Sequence, residues 1–156
     1  MKTMEKMKMR PPRHDIAVAF RAPLGSIGAQ LFQDAISLAL RSRRVAEAVI
    51  SCAVVTDEEI HAINRQYLGH DYPTDIITFP LEVKPLEAEL VISAETARRQ
   101  ARDYGVRLRE ECVRLAVHGI LHLTGYDDGD EQARRRMKRK EDALVAQFMN
   151  SDRTPG

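Results

Sequence analysis

Residues 108–128 read LREECVRLAVHGILHLTGYDD, and the rest of the chain organises around them. Cys112, Leu115, Ala116, Gly119 and Leu123 fall on one broad apolar side, which predicts a central helix over Leu108–Leu123. His118 and His122 stand at i and i+4 on it, so their Cβ atoms are neighbours about 6 Å apart on one face. Gly125 ends the helix, because glycine takes the turning backbone conformation at little cost. Asp128 comes three residues further on. The pattern His-x3-His-x2-Gly-x2-Asp suits a metal site made by a helix and the loop that folds under it.

Three protein ligands, His118, His122 and Asp128, leave a fourth position for water, as in catalytic rather than structural zinc sites. Zinc brings the pKa of such a water to about 7. The zinc-protease motif places a glutamate after the first histidine, and here Gly119 stands there, which argues against peptide hydrolysis by that route. A general base must come from elsewhere: Asp127, near in sequence, or a substrate phosphate.

Outward from this helix, the pattern predicts an α+β domain with about four strands in a mixed sheet and about five helices. Strands are expected over Asp15–Phe20, Ala48–Val55, Thr74–Phe79 and Glu89–Ile92, with Pro80 ending the third. A helix is expected over Gly28–Arg43, with Leu31, Ile36, Leu38 and Leu40 among its buried residues. Thr56 with Glu59 forms a capping box for a helix from Asp57 to Gly69, carrying Ile60, Ile63, Asn64 and Tyr67. Ser93 caps a helix over Ala94–Tyr104 that stops at Gly105. The last helix, Asp130–Phe148, turns Met137, Leu144, Val145 and Phe148 inward and its basic run outward. The domain is expected over residues 13–150, with a flexible N-terminal segment at 1–12 and a frayed tail at 151–156.

Composition excludes several classes. The 156 residues are one domain's worth, and no apolar run approaches the roughly 18 residues a membrane span needs. Lys2, Lys6, Lys8, Arg10 and Arg13 are followed by no signal-type apolar core, so a cytoplasmic location is expected. Cys52 and Cys112 sit in apolar patterns and read as reduced, buried thiols. The net charge of +1 conceals basic clusters at Arg41, Arg43 and Arg44, at Arg98, Arg99 and Arg102, and from Arg134 to Lys140. Each can be a solvated helix face or a local site for an anionic polymer.

His118 to Asp127, HGILHLTGYD, resembles the hallmark of the YbeY family of bacterial endoribonucleases, also called the rRNA maturation factor family. Asn64–Asp71 (NRQYLGHD) with Tyr72–Phe79 resembles that family's stretch ending in PTDVLSF, and Glu89–Ser93 its GDIVIS strand and helix start. These pieces occur in the family's order and cover about Asp15 to Leu144. The resemblance implies an α+β fold, one zinc ion per chain and hydrolysis of single-stranded RNA. It further implies maturation of the 3′ end of small-subunit ribosomal RNA and ribosome quality control, with ribosomal RNA and the small subunit as partners. Two positions depart from the family pattern. Asp128 stands where the family usually has a third histidine; it makes the site less positive by one charge, which should acidify a zinc-bound water less. Leu68 stands where the family commonly carries an arginine; Arg65, one turn earlier, or His70 is the candidate replacement for that phosphate contact.

With four Tyr, four Phe and no Trp, an extensive base-stacking surface is not expected, so RNA binding would rest on phosphate contacts. The candidates are Arg98, Arg99 and Arg102 after one strand, and Arg134, Arg135 and Lys138 after the metal loop. Two other readings stay open: a zinc metallopeptidase, and a non-catalytic ribosome-associated RNA-binding protein.

Overall fold

A computed structural model describes residues 10–151. The expectations for residues 1–9 and for the tail beyond Ser151 lie outside the described residues. Four strands, β1 (Arg13–Phe20), β2 (Glu47–Val55), β3 (Ile76–Glu82) and β4 (Leu86–Ser93), form one mixed sheet in the order β1-β2-β4-β3. The β1–β2 and β2–β4 pairs are parallel, and β3 runs antiparallel to β4. Five helices accompany them: α1 (Ala29–Ser42), α2 (Asp57–Leu68), α3 (Ala94–Tyr104), α4 (Leu108–Leu123) and α5 (Glu131–Ser151).

The period-2 alternation of the strands sorts residues between two faces. Leu90 and Ile92 of β4 and Ile76 of β3 join the main core with α1, α4 and α5. Their neighbours Val91 and Ile77, paired in register, join Val55 and Ile60 in a smaller cluster beneath α2. The expected central helix is central: α4 packs on α1, α3, α5 and β3, and its Cys112, Val113, Ala116, Val117, Ile120 and Leu121 are fully buried. Burying one such aliphatic side chain is worth about 1.5–3 kcal/mol. At Gly119, α4 lies tight against the sheet, since a Cβ there would lie 2.9 Å from Ile76 Cδ1 and 3.0 Å from Leu90 Cδ2.

Helix ends follow the sequence signals. The Thr56 hydroxyl accepts the Glu59 amide at 3.1 Å, and Gly69 closes α2 in the left-handed region at φ 71°. The capping box is only half formed, because the Glu59 carboxylate pairs with Arg21 at 3.2 Å. Ser93 accepts the Thr96 amide at 3.1 Å to start α3. Gly125, at φ 114°, turns the chain after α4, and the Asp130 carboxylate caps α5 by accepting the Ala133 amide at 2.7 Å.

Pro80 does not end β3; it lies within it, paired with Ala88 just before a register shift. β3 is an edge strand, where a residue without an N–H is tolerated. The expected linker around Pro85 is the tight turn of a β3–β4 hairpin, so β4 begins at Leu86 rather than Glu89. Tyr67 and Leu38 are less buried than their spacing suggests: Tyr67 is exposed and Leu38 only partly covered. Both cysteines are free and buried, and burial pushes each thiol up to about 12. Among the described residues no helix is long and apolar enough to cross a membrane.

Candidate metal centre and nucleic-acid groove

The face of α4 that carries Gly119 presses on the sheet, so the histidines stand on another side of the helix. The His118 and His122 rings lie 6.4 Å apart and nearly parallel, with 10° between their planes. His118 Nδ1 is 2.8 Å from Glu141 Oε1 of α5. The other Glu141 oxygen accepts from Arg114 at 2.7 Å, and Arg114 also donates to Asp142 at 2.7 Å. The hydrogen bond to Glu141 raises the His118 pKa despite burial, and the charges of Glu141, Asp75 and Asp128 add to it. Burial alone would raise the Glu141 pKa, but its bonds to His118 and Arg114 outweigh that and hold it low. A carboxylate on Nδ1 fixes the ring and leaves Nε2 as the nitrogen for a ligand, which is how metal-binding histidines are commonly held.

His118 borders a cavity of about 560 Å³. Asp128 and Glu131 line it on one side, and Arg134, Arg135, Lys138 and Arg139 of α5 supply its basic wall. The fold thus brings Asp128 to the same cavity as His118, but among the described residues no three His, Cys, Asp or Glu side chains cluster closely enough to hold an ion. The loop is tied in other ways: Arg134 donates to the Asp128 carbonyl at 3.3 Å, and Asp130 is occupied as the α5 cap. Two imidazoles and a loop carboxylate are donors that suit zinc and several other divalent ions.

The other expected site residues divide. Arg134, Arg135 and Lys138 share the cavity with His118. Asp127 does not: its carboxylate accepts the Gly129 amide at 3.0 Å, and it lines a separate recess with Arg43, Tyr126 and Arg136. Arg65 sits 3.5 Å from Asp71, which His61 also contacts at 2.9 Å, and it lines neither cavity that includes His118. Arg98 donates to the Pro23 carbonyl at 2.6 Å, and Arg99 to Asp57 at 2.8 Å and Thr96 at 2.9 Å. Those two tie α3 to its neighbours instead of facing the histidines. Arg102 is exposed on α3 and likewise outside both cavities. Leu68 is exposed, and the His70 ring stacks on Tyr72 with centroids 5.3 Å apart.

Sequence reasoning missed Glu141 and Arg114. The signal was present, because Met137, Glu141, Leu144, Val145 and Phe148 share the inward face of α5, and a carboxylate in that row needs a buried partner.

The family model described as endoribonuclease YbeY matches residues 26–149, which contain α4, its histidines and the loop to Asp128. Among similar proteins, endoribonuclease YbeY of Pelotomaculum thermopropionicum is 46% identical over 111 residues, covering 65% of this chain and 73% of that one. Endoribonuclease YbeY of Stenotrophomonas maltophilia strain R551-3 is 32% identical over 156 residues, covering 94% and 96%. The solution structure of TM1509 from Thermotoga maritima superposes with a TM-score of 0.61 at 22% identity, over 88% of this chain and 93% of that one, so the fold is shared. The matched span, carried almost end to end by full-length relatives, places this chain in the YbeY endoribonuclease family.

Proposed function

We propose that this protein is a metal-dependent endoribonuclease that cuts single-stranded RNA, acting in the cytoplasm on the 3′ end of small-subunit ribosomal RNA and in ribosome quality control. The observation that carries the reading is the parallel His118–His122 pair, of which His118 is held by Glu141 at the edge of a cavity walled by the basic face of α5. Family membership supports the reaction class.

His118 and His122 would hold the ion, and Asp128, which lines His118's cavity but does not cluster with the pair here, would join them once the loop draws in. Such an ion supplies Lewis acidity toward a phosphoryl oxygen and activates water near neutral pH. The chain's own contribution is positioning. Arg134, Arg135 and Lys138 would take flanking phosphates, and Glu141 fixes the His118 ring. Asp127, engaged with the Gly129 amide, is poorly placed as a base, which favours a substrate phosphate as proton acceptor. The peptidase reading loses further ground, since position 119 faces Ile76 and Leu90 and offers no room for a catalytic glutamate. RNA binding without cleavage is the second reading, drawn from the three donors that do not cluster. Incubating labelled single-stranded RNA and a matched duplex with wild type and His118→Ala separates them. Cleavage of the single strand alone, lost in the variant, is expected; binding with no cleavage after zinc is supplied would favour the second reading.

A further inference from the structure

We propose that Arg43 is a positioning residue of the metal centre: from the end of α1 it anchors the first half of the loop between His122 and Asp128, an inference that rests on the metal-dependent reading above. Arg43 belongs to the one basic cluster of the sequence that neither the cavity of His118 nor the contacts of α3 employ. It ends α1, which packs on α4. Its Nη2 donates to the Thr124 carbonyl at 2.6 Å and its Nε to the Thr124 hydroxyl at 3.0 Å. Thr124 ends α4 two residues after His122, so the cation caps that helix where its dipole is negative. The guanidinium also lies over the Tyr126 ring, 4.6 Å from its centroid, and Tyr126 is two residues before Asp128.

The two contacts matter because the chain between them has little stiffness of its own. Gly125 lies there at φ 114°, and glycine adopts such conformations without holding to any one of them. The far end of the loop is held by a longer bond, from Arg134 to the Asp128 carbonyl at 3.3 Å. Arg43 itself stands on a firm base: Arg44 turns in the left-handed region at φ 58°, and the Val45 amide closes α1 on the Leu40 carbonyl at 3.0 Å. With Thr124 and Tyr126 anchored, only the short stretch after Tyr126 has to shift for Asp128 to join the histidines. Arg43 lines a recess apart from both cavities that include His118, so it acts through the loop and not on the RNA. A planar guanidinium can donate from one edge while its face stacks, which a lysine ammonium cannot do.

The experiment measures zinc affinity by competition with a chromophoric chelator for wild type, Arg43→Ala, Arg43→Lys and Asp57→Asn, and backbone amide exchange on the zinc-free proteins. Arg43→Ala should bind zinc about tenfold more weakly, the lower end of what losing an outer partner of a metal site costs. Its Tyr126 amide, bonded to the Leu121 carbonyl at 3.0 Å, should exchange faster while the strands keep their protection. Arg43→Lys keeps the charge without the fork and should stay about threefold weaker than wild type, a result that serves even if Arg43→Ala fails to fold. Asp57→Asn loosens the junction of α2 with α3 and leaves α4 and its loop untouched, so its zinc affinity should equal that of wild type. A fall in Asp57→Asn as large as in Arg43→Ala would mark general destabilisation and overturn the anchor. Wild-type affinity in Arg43→Ala, or full recovery in Arg43→Lys, would also overturn it and leave the endoribonuclease reading standing. Wild type that takes up no zinc would overturn that reading and the anchor with it.

Discussion

Glu141 sits 7% exposed between a histidine and an arginine, and its role is testable without assaying RNA at all. Glu141→Gln keeps the shape and removes the charge that orients His118. Zinc affinity, measured by competition with a chromophoric chelator, should fall about 10–100-fold, the usual effect of losing such a partner; an unchanged affinity would remove Glu141 from the centre. The contrast between His118 and Glu141 also marks what the sequence can show. A pair at i and i+4 on one helix is local geometry, so His118 and His122 were legible from spacing alone. Glu141 lies 23 residues from His118, and the two meet only because α4 and α5 pack together. Asp127 and Asp128 are adjacent, and only the loop's own hydrogen bonds turn one away from His118's cavity and leave the other on its wall.

At the scale of elements, the contact between α4 and the sheet depends on Gly119. Gly119→Val would drive methyl groups into Ile76 and Leu90, and the urea midpoint should drop by the equivalent of about 1–3 kcal/mol. A midpoint equal to wild type would mean that α4 can lift without cost. A second junction ties the starts of α2 and α3 together: Asp57 receives bonds from Ser93, Thr96 and Arg99, while its own amide donates to Glu95 at 2.6 Å. Burial would raise the Asp57 pKa, but those bonds outweigh it and lower it. A carboxyl depressed in the folded state adds stability above its unfolded pKa of about 3.9 and loses it as pH falls through the folded value. Asp57→Asn should therefore be less stable than wild type at pH 7, with the gap closing below about pH 4 in paired denaturation curves. A gap that stays constant with pH would refute the linkage. Helix signals were read well here because caps are local; Pro80 was misread because edge or interior status in a sheet is set by strand order, which no single strand encodes.

Across the whole molecule, a net charge of +1 hides a division of labour among the basic clusters. Arg134, Arg135 and Lys138 face the cavity by His118, whereas Arg98 and Arg99 are spent on α3's own contacts. Composition ranked the two clusters equally, since only the fold shows that Arg134, Arg135 and Lys138 line His118's cavity, each beside a surface partner on its own helix or loop, while Arg98 and Arg99 do not. Reversing Arg134, Arg135 and Lys138 to Glu should weaken RNA binding strongly at low salt, with the two proteins converging as salt rises. Arg98→Ala and Arg99→Ala should leave RNA affinity unchanged and lower stability by about 1 kcal/mol or less, as befits partly exposed pairs. The opposite ranking would relocate the RNA path to α3. The central claim is a metal-dependent nuclease centred on the α4 histidines, and metal content is its most direct test. Zinc should be quantified in wild type, His118→Ala and Asp128→Ala, with cleavage of single-stranded RNA assayed on the same samples. The account predicts about one zinc per chain in wild type, as a single catalytic site requires, and loss of both metal and cleavage in both variants. Wild-type protein that takes up no metal when zinc is resupplied, yet still cuts RNA, would contradict it.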